Sequence, residues 1–518
     1  MNVARAAALV EQLAAHGVEE CCVCPGGRNS PLVLVLERVT GLSVRFFFEE
    51  RAAAFFALGR AKATHRPVAV VTTSGTAAAE LLPAAVEAHY AAVPLVLITA
   101  DRPRAYRGTG APQTIEQAGL FGRYAPTGFD GEGPDDRPDL SGWHADHPIH
   151  LNICFDEPLV DGPVPVLRLR PAPLAEPATP AADDLAPLRA FLAETTRPLV
   201  LVGPLDARDH DGVRTFLGRY GAPVYAEAAS GLREDRALDA LLLRSGEGVL
   251  RRAEFDGVLR IGGVPTVRLW RDLETRRDVR VCAVARAPFP GLTHAALVVG
   301  PPGDVLRAAS VAAARRADSL LHRDRARAEL VAALCATEPR AEQSLIRTLS
   351  ARVPDGALVY LGNSLPIRVW DLTARRETRG WQVAVNRGAN GIDGQLSTFL
   401  GMCAPGREHW AVVGDLTALY DLAAPWVLPQ LVSGPIRIVV VNNGGGQIFA
   451  RLSPHAVLRN EHDHDFSAWA GMWRLAHHRW TAVPAAAPAD ARCVIELVPD
   501  NAATARWWRA YDALDDGT

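Results

Sequence analysis

The segment that decides the fold is residues 409–449, HWAVVGDLTALYDLAAPWVLPQLVSGPIRIVVVNNGGGQIF. Two apolar runs, at 410–413 and 436–441, flank residues 416–432, in which apolar side chains recur at helical spacing. This order predicts a strand, a helix and a second strand, joined as a crossover between neighbouring parallel strands. Apart from Arg437 both runs are apolar, which is typical of strands covered on both faces.

Asp415 and Asn443 follow the ends of these two predicted strands. Ligands of open α/β sheets bind at the carboxyl ends of parallel strands, so we expect both side chains at that edge. Carboxylate and amide oxygens suit Mg²⁺, whose remaining ligands are phosphate oxygens and water. The glycines at 444–446 would let the backbone approach such a ligand closely. The same residues also fit an ordinary crossover, in which Asp415 caps the helix and Asn443 forms a turn.

The composition is that of a globular α/β protein with several domains. The chain of 518 residues is too long to fold around a single hydrophobic core, and its length suits three domains of ordinary size. The net charge of −3 argues against a nucleic-acid partner, and no apolar run is long enough for an integral membrane segment. Glu11 interrupts the apolar stretch of the N-terminus, which therefore lacks the pattern of a signal peptide, and we expect a cytoplasmic protein. Lys62 is the sole lysine, which argues against Schiff-base chemistry.

Alternating strands, turns and helices predict an α/β fold of three doubly wound parallel-sheet domains. The Pro- and Ala-rich segment 171–187 reads as a linker, residues 303–339 as a helical connector, and residues 126–148 as a surface excursion. The predicted domains are 1–170, 185–335 and 341–518.

The deciding segment resembles the diphosphate and metal motif of thiamin-diphosphate enzymes, in which Gly-Asp is followed by a helix, a strand and Asn-Asn-Gly. The resemblance implies a Mg²⁺ (or Mn²⁺) site formed by Asp415, Asn443 and the backbone carbonyl of Gly445. It also implies that Gly414 and Leu416 border the cofactor. Leu416 stands where this family usually has glycine, and that departure is typical of one branch.

Further segments resemble that branch, the 2-succinyl-5-enolpyruvyl-6-hydroxy-3-cyclohexene-1-carboxylate synthase family of menaquinone biosynthesis. They are CPGGRNSPL (24–32), FEERAAAFFALGRAKA (48–63), VVTTSGTAAAELLPAAVEAHYAAVPLVLITADRP (70–103), GAPQTIEQAGLFG (110–122), GNSLPIR (362–368), NRGANGIDGQLST (386–398) and GDLTALYDL (414–422). The similarity spans both terminal regions and is weak in the middle third. The combination of G-D-L with N-R-G-A-x-G-I-D-G is specific to this branch.

The resemblance implies thiamin diphosphate as cofactor, with the N-terminal domain (1–170) binding its pyrimidine ring and the C-terminal domain (341–518) its diphosphate. Glu50 is the candidate for the carboxylate that serves the pyrimidine. It lies where the apolar run VRFFF meets a helix, and burial there would raise its pKa. Taken alone, Glu50 also fits a structural acid stabilised by the helix dipole. Ile392, after Gly391, is implied to hold the cofactor in a bent shape, although it also fits a core isoleucine.

Enzymes of this family decarboxylate 2-oxoglutarate and add the resulting carbanion to isochorismate. The resemblance therefore implies a 2-oxoacid and a carboxylate acceptor as small-molecule substrates, which arginine forks bind well. The implied contacts are Ser364, Arg368 and Arg387 to the succinyl carboxylate, Arg28, Arg102 and Gln113 to isochorismate, and Arg268, Ile448 and Phe449 as further substrate-binding residues. Gln113 would also assist proton transfer. Any one of these arginines, taken singly, is more typical of a surface residue.

Four departures from the family pattern fall mostly on the second-substrate side. They are Gly27 for a usual Ser, Pro112 for a usual Asn, Asn390 for a usual Ser, and Leu269 in place of a basic residue. They leave open a divergent relative that keeps the donor and uses another acceptor. A degenerate paralogue that binds cofactor without turnover is a second alternative, against which the intact Glu50, Asp415 and Asn443 argue. The two halves of the family's site come from different subunits, so the resemblance implies at least a homodimer and points to a homotetramer.

Overall fold

The computed structural model describes residues 1–133, 135–174, 183–309 and 318–514. The predicted linker and the predicted helical connector lie partly outside these residues, at 175–182 and 310–317. The described residues gather into two compact units. The first takes those within 1–176, 388–404 and 419–432, and the second takes those within 177–387, 405–418 and 433–518.

The first sheet lies in the first unit. Its strands are β1 (Glu20–Val23), β2 (Ser43–Phe46), β3 (Val68–Thr72), β4 (Leu95–Asp101), β5 (Thr127–Gly131) and β6 (Ile149–Cys154), in the spatial order β2-β1-β3-β4-β6-β5. Its helices are α1 (Asn2–Ala15), α2 (Ser30–Glu37), α3 (Glu50–Thr64), α4 (Thr76–Ala79) and α5 (Leu82–Ala91). All the pairings are parallel, and β1, β3, β4 and β6 are buried throughout.

The predicted surface excursion at 126–148 is wrong in part, because Thr127–Gly131 forms β5 at the edge of the first sheet. Its sequence, TGFDG, contains two glycines and an aspartate, which are rare in strands and hide the element from sequence analysis. The strand is only partly buried, as an edge position allows.

The central sheet belongs to the second unit. Its strands are β7 (Pro198–Val202), β8 (Val224–Ala226), β9 (Gly257–Ile261), β10 (Arg280–Ala285) and β11 (Ala296–Val299), in the order β11-β10-β9-β7-β8. Its helices are α6 (Ala186–Glu194), α7 (His210–Tyr220), α8 (Arg268–Asp272), α9 (Pro302–Ala308) and α10 (Asp318–Thr337). These strands are also paired in parallel.

The strands of the third sheet also lie in the second unit. They are β12 (Leu358–Leu361), β13 (Gln382–Ala384), β14 (His409–Gly414), β15 (Ile436–Val441), β16 (Ala476–Trp480) and β17 (Arg492–Leu497), in the order β13-β12-β14-β15-β17-β16. The helices along this part of the chain are α11 (Glu342–Ser350), α12 (Leu365–Thr373), α13 (Gln395–Met402), α14 (Asp415–Tyr420), α15 (Ser467–Met472) and α16 (Asn501–Asp512). The predicted α/β class with three parallel sheets is confirmed.

The deciding segment forms the predicted strand, helix and strand, and β14 pairs in parallel with β15. The single helix predicted over 416–432 is wrong. The α-helix α14 ends at Tyr420, and a 3₁₀ helix follows from Ala424 to Gln430. Pro425 is the second residue of this 3₁₀ helix and Pro429 lies inside it, and a proline removes the N–H that a continuous α-helix would need.

Helix α13 belongs to the first unit, where its backbone packs directly on α3. A Cβ on Gly59 would lie 2.0 Å from the carbonyl oxygen of Thr398, and a Cβ on Gly401 would lie 2.2 Å from the carbonyl oxygen of Phe56. Only glycine permits so close an approach at these two positions. The contact anchors the C-terminal side of the loop that carries Gly391 and Ile392.

Among the described residues, no helix is both long and apolar enough to cross a membrane.

Candidate active site

The predicted site residues divide between the two compact units. The first unit holds Arg28, Glu50, Arg102, Gln113, Gly391 and Ile392. The second unit holds Arg268, Ser364, Arg368, Arg387, Gly414, Asp415, Leu416, Asn443, Gly445, Ile448 and Phe449.

In the second unit, Asp415 lies at the end of β14 and is 2% exposed. Its Oδ1 accepts a hydrogen bond from the backbone N–H of Leu416 at 2.6 Å, and its Oδ2 accepts one from the N–H of Gly445 at 2.8 Å. Burial raises the pKa of the Asp415 carboxyl, and these backbone donors partly offset that rise. A cation beside the carboxyl would favour its charged form, so the site suits a metal electrostatically.

Asn443, at the end of the adjacent strand β15, is 7% exposed and carries an unsatisfied acceptor. Its Nδ2 donates to Oε2 of Glu342 at 2.9 Å, whereas its Oδ1 has no hydrogen-bond partner among the described residues. A buried acceptor without a partner is unfavourable by about 1–3 kcal/mol, and a bound cation would satisfy it.

The glycine-rich loop after β15 packs closely against the backbone of a neighbouring segment, while the close approach to a ligand that the sequence predicts stays a prediction. Gly445 has a φ of 127°, and a Cβ there would lie 2.5 Å from the carbonyl oxygen of Arg459. The Gly445 carbonyl accepts a hydrogen bond from the N–H of Gln447 at 2.8 Å and keeps a second lone pair for another ligand. Asp415, Asn443 and Gly445 therefore fit a divalent cation bound through oxygen. Among the described residues, no three His, Cys, Asp or Glu side chains gather into an alternative metal site.

Two side chains at this site escape prediction from the sequence. Glu342, at the start of α11, is fully buried, and burial raises its pKa to about 7. His462 places its Nε2 3.3 Å from Oδ2 of Asp415, and its backbone N–H donates to the carbonyl of Gly444. Glu342 reads as an ordinary acid in a first helical turn, and His462 lies in a polar run without periodicity, so neither gives a sequence signal.

The residues predicted to bind the donor carboxylate gather around the turn after β12. Nη1 of Arg368 donates to the carbonyl of Ser364 at 2.5 Å, and Nη1 of Arg387 donates to Oδ1 of Asn363 at 3.2 Å. Ser364 has a φ of 68°, an uncommon backbone conformation for a residue other than glycine. Arg368 in α12 and Arg387 after β13 both contact this turn, and each planar guanidinium group provides N–H donors that suit a carboxylate.

The other predicted substrate residues of this unit are more dispersed. Arg268 is exposed, and its Nε lies 3.5 Å from Asp272, so its ion pair is with its own helix. Ile448 packs against the apolar core of the third sheet, and Phe449 is partly exposed.

Glu227 is a buried acid close enough to Arg387 to feel its charge, and the sequence gives no sign of it. Its Oε1 accepts hydrogen bonds from both the N–H and the hydroxyl of Thr266, while Asp371 accepts one from the N–H of Ala228. Burial raises the pKa of Glu227, the charge of Asp371 raises it further, and the charge of Arg387 lowers it.

In the first unit, Glu50 is the first residue of α3. The preceding Glu49 caps this helix, with its Oε2 accepting a hydrogen bond from the N–H of Ala52 at 2.7 Å. Burial raises the pKa of Glu50, and the charges of Glu49 and Glu80 raise it further. Glu50 is therefore both an acid in a first helical turn and a half-buried group with a raised pKa, so the two interpretations of the sequence are compatible.

The residues predicted to bind the acceptor lie together at the carboxyl edge of the first sheet. Burial lowers the pKa of Arg28, and the nearby charge of Arg102 lowers it further. Nε of Arg102 donates to the carbonyl of Pro112 at 3.1 Å. The next residue, Gln113, has a φ of 55° and packs against Gly75, where an added Cβ would lie 3.2 Å from its Cα.

A buried polar network supports this edge from below. Gln117 accepts a hydrogen bond from the N–H of Gly75 at 2.9 Å and donates to Oδ1 of Asn152 at 2.9 Å. Nδ2 of Asn152 donates in turn to Asp101 and Asp130. Arg107 pairs with both aspartates, and its hydrogen bond lowers the pKa of Asp130 to about 2. The network fixes the Gly75 backbone, and with it the surroundings of Gln113.

The structure describes the local setting of three of the departures from the family pattern. A Cβ on Gly27 would meet nothing within 4 Å, so glycine there is not forced by crowding. Asn390 has a φ of 66°, a conformation that asparagine tolerates better than serine. Pro112 contributes its backbone carbonyl to Arg102.

Comparison with known proteins agrees with the fold. The family described as "Thiamine pyrophosphate enzyme, N-terminal TPP binding domain" matches residues 3–120. A solved structure from Mycobacterium smegmatis, described as a candidate thiamin diphosphate-dependent enzyme, has a TM-score of 0.68 at 17% identity and covers 95% of this chain and 98% of its own. At that identity the likeness supports the fold alone.

Relatives of higher identity carry the family assignment. The 2-succinyl-5-enolpyruvyl-6-hydroxy-3-cyclohexene-1-carboxylate synthase of Bdellovibrio bacteriovorus is 43% identical over 99% of both chains. The enzymes of the same name from Akkermansia muciniphila and Chloroflexus aurantiacus are 40% identical over 96% of both chains and 35% identical over 92% and 89%. The chain therefore belongs to the 2-succinyl-5-enolpyruvyl-6-hydroxy-3-cyclohexene-1-carboxylate synthase family of thiamin-diphosphate enzymes.

Proposed function

We propose that the protein decarboxylates 2-oxoglutarate and joins the remaining succinyl unit to isochorismate. The products are CO₂ and 2-succinyl-5-enolpyruvyl-6-hydroxy-3-cyclohexene-1-carboxylate, a step of menaquinone biosynthesis. In chemical class the enzyme is a transferase, a carboligase that depends on thiamin diphosphate and Mg²⁺ or Mn²⁺. Similarity to enzymes of this name over nearly the whole chain supports this function.

When bound, thiamin diphosphate supplies the nucleophilic carbon and the electron sink that decarboxylation of a 2-oxo acid requires. Asp415, Asn443 and the carbonyl of Gly445 would hold the cation that binds the diphosphate, with Gly414 and Leu416 bordering it. The buried Oδ1 of Asn443, which lacks a partner among the described residues, is the observation that supports this role most strongly. Burial raises the pKa of Asp415, and a bound cation would stabilise the charged form of this carboxyl.

Glu50 would hold and share a proton with a nitrogen of the pyrimidine ring. Its raised pKa suits that role, because a carboxyl that keeps its proton closer to neutral pH can donate it in a hydrogen bond. Ile392, with Gly391, would support the bent cofactor from the loop before α13.

Positively charged groups would position both substrates. Arg368, on the helix that follows Ser364, and Arg387, which contacts Asn363 of the same turn, would bind the distal carboxylate of 2-oxoglutarate together with Ser364. Arg28 and Arg102 would bind the carboxylates of isochorismate, and Gln113 would help protonate the adduct. Arg268, Ile448 and Phe449 would complete the substrate site.

We also propose how the domains and subunits are organised. Residues 1–170 would form the pyrimidine-binding domain, 185–335 a central domain and 341–518 the diphosphate-binding domain. Glu50 of one subunit would serve the cofactor held by Asp415 of another, which requires a homodimer at least and is compatible with a homotetramer. The protein would act in the cytoplasm.

The direct test is product analysis with purified protein, thiamin diphosphate, Mg²⁺, 2-oxoglutarate and isochorismate. We expect one molecule of CO₂ for each molecule of adduct, identified by mass spectrometry and NMR. CO₂ release without the adduct would indicate a different acceptor. Tight cofactor binding without CO₂ release would indicate a protein that binds the cofactor but has lost turnover.

A further inference from the structure

We infer that Glu342 is a positioning residue that orients the side-chain amide of Asn443 so that its oxygen faces the divalent cation. The inference rests on the proposed function, because it assumes that Asn443 is a metal ligand. Glu342 lies about one hundred positions from Asn443 along the sequence, and the fold brings the two side chains into contact.

Glu342 is well placed to fix this orientation. It is fully buried at the first position of α11, and its backbone N–H donates to Oγ1 of Thr504 at 3.0 Å. Its Oε2 accepts the hydrogen bond from Nδ2 of Asn443 at 2.9 Å. A buried side chain at a packed helix start has few alternative rotamers, so the acceptor stays where it is.

The amide of Asn443 has one donating and one accepting end, and Glu342 distinguishes between them. If the amide were reversed, Oδ1 would face an oxygen of Glu342 at hydrogen-bond distance, and two acceptors would repel each other whenever Glu342 carries its negative charge. The NH₂ end therefore faces Glu342, and Oδ1 must point elsewhere. In the described chain this oxygen has no hydrogen-bond partner.

The backbone of Asn443 is held as well. Its carbonyl oxygen accepts hydrogen bonds from Nε2 of Gln447 at 3.3 Å and from Nδ2 of Asn501 at 2.8 Å. With the carbonyl and the amide NH₂ both fixed, Oδ1 is presented in one direction at no further entropic penalty when the cation binds.

The test compares Glu342→Met, which removes the acceptor with little change in size, with Glu342→Gln, which keeps an acceptor and removes the charge. The readout is the dissociation constant of Mg²⁺, measured by titration calorimetry on each protein at saturating thiamin diphosphate. Partners of metal ligands typically contribute 10–100-fold in affinity, so we expect Glu342→Met to bind Mg²⁺ about 10–100-fold more weakly. Glu342→Gln should stay within about threefold of the wild type, because its amide oxygen can accept from Nδ2.

Asp324→Asn is the matched control for loss of a buried acid. Asp324 is fully buried in the same unit, and it accepts hydrogen bonds from the N–H groups of Arg244 and Ser245. We expect its Mg²⁺ affinity to equal that of the wild type. Wild-type affinity in Glu342→Met would overturn the inference, and so would an equal loss in Glu342→Gln, because charge rather than orientation would then be responsible.

Asn443→Leu separates this inference from the metal assignment itself. If Asn443→Leu binds Mg²⁺ as the wild type does, the proposed metal ligand is wrong. If Asn443→Leu loses affinity and Glu342→Met does not, only the role of Glu342 is wrong. Should Glu342→Met fail to fold, a crystal structure of the wild-type holoenzyme with Mn²⁺ decides. A distance from Nδ2 of Asn443 to Glu342 beyond about 3.5 Å would contradict the inference.

Discussion

The carboxyl edges of the first and third sheets both contain buried polar side chains, but these groups are satisfied differently. At the first edge, the side-chain oxygens of Asp101, Asp130, Asn152 and Gln117 all accept hydrogen bonds from protein groups. At the third edge, Oδ1 of Asn443 and Oε1 of Glu342 accept none within the described residues.

The difference distinguishes a network that supports the fold from a site that binds a ligand. The first edge also has buried groups without a partner among the described residues, Oγ1 of Thr72 and Nε of Arg107. The acceptors of its network are nevertheless satisfied by protein groups without a ligand, and such a network stabilises the loops that carry the residues proposed to contact substrate. A buried acceptor that is held in place and still lacks a partner is unfavourable in the free protein, which points to a ligand that arrives later. The third edge is therefore the stronger candidate for anchoring the cofactor, whereas the first edge holds Gln113 and its neighbours in position.

The largest effect is expected for Glu50→Gln, which should affect turnover but not the binding of thiamin diphosphate. Glu50→Gln should lower kcat by about 10²–10⁴-fold, the usual contribution of a positioned acid or base, and leave thiamin diphosphate binding unchanged. The reason is that the proposed diphosphate anchor lies on other residues. Steady-state kinetics and calorimetric cofactor binding measure the two quantities. Wild-type turnover in this variant would remove Glu50 from the mechanism.

Asp415→Ala should weaken the binding of the cation and of the cofactor, which Glu50→Gln leaves unchanged. Removing a metal ligand should weaken the affinity for Mg²⁺ by more than about 100-fold, which is a larger effect than the loss of a residue that only contacts a ligand. The protein should then also lose thiamin diphosphate. Calorimetry with each component, and the cofactor content after gel filtration, provide the measurement. Retention of both cation and cofactor would refute the metal assignment.

The first edge can be tested with two glutamines of similar sequence context. Gln117→Met should lower the free energy of unfolding by about 1–3 kcal/mol, because the N–H of Gly75 and Oδ1 of Asn152 lose a buried partner. Gln113→Met, at an exposed position, should leave stability unchanged and reduce adduct formation. Chemical denaturation and product analysis distinguish them. Equal stability losses in the two variants would show that the network does not support this edge.

The smallest expected effect concerns the acid pair Glu227 and Asp371. Burial raises the pKa of both groups, so the folded protein holds protons that the unfolded chain releases. Their contribution to stability is therefore present at low pH and lost as pH rises through the folded pKa values. Glu227→Gln removes one of these acids and keeps an acceptor for Thr266. Between about pH 5 and about pH 8, the wild type should lose about 1–3 kcal/mol of stability relative to the variant. Parallel stability–pH profiles would contradict this.

The sequence predicts the positions of those candidate site residues that lie at the ends of strands. Asp415 and Asn443 can be placed on neighbouring strands because an apolar run stops just before each of them, and β14 does pair with β15. The class of three parallel sheets follows from the same periodic pattern. The position of Glu50 at the start of a helix also follows from the sequence, because α3 begins shortly after the apolar strand β2; its role stays a prediction.

What the sequence does not reveal depends on long-range packing. Glu342 reaches Asn443, and Glu227 reaches Thr266, through contacts between segments that are distant in the chain. A buried glutamate and an exposed one look the same in a sequence window. The break in the helix at 416–432 is a different case, because Pro425 and Pro429 signal it and the helical spacing of apolar residues outweighs them in the prediction.

The central claim is that Glu50 of one subunit and Asp415 of another serve the same thiamin diphosphate. Heterodimers of Glu50→Gln and Asp415→Ala subunits, isolated through two different affinity tags, test it directly. Each heterodimer would contain one site with both residues intact, so we expect about half of the wild-type turnover per dimer, although each homodimeric variant is inactive. Heterodimers as inactive as the two parent variants would contradict it.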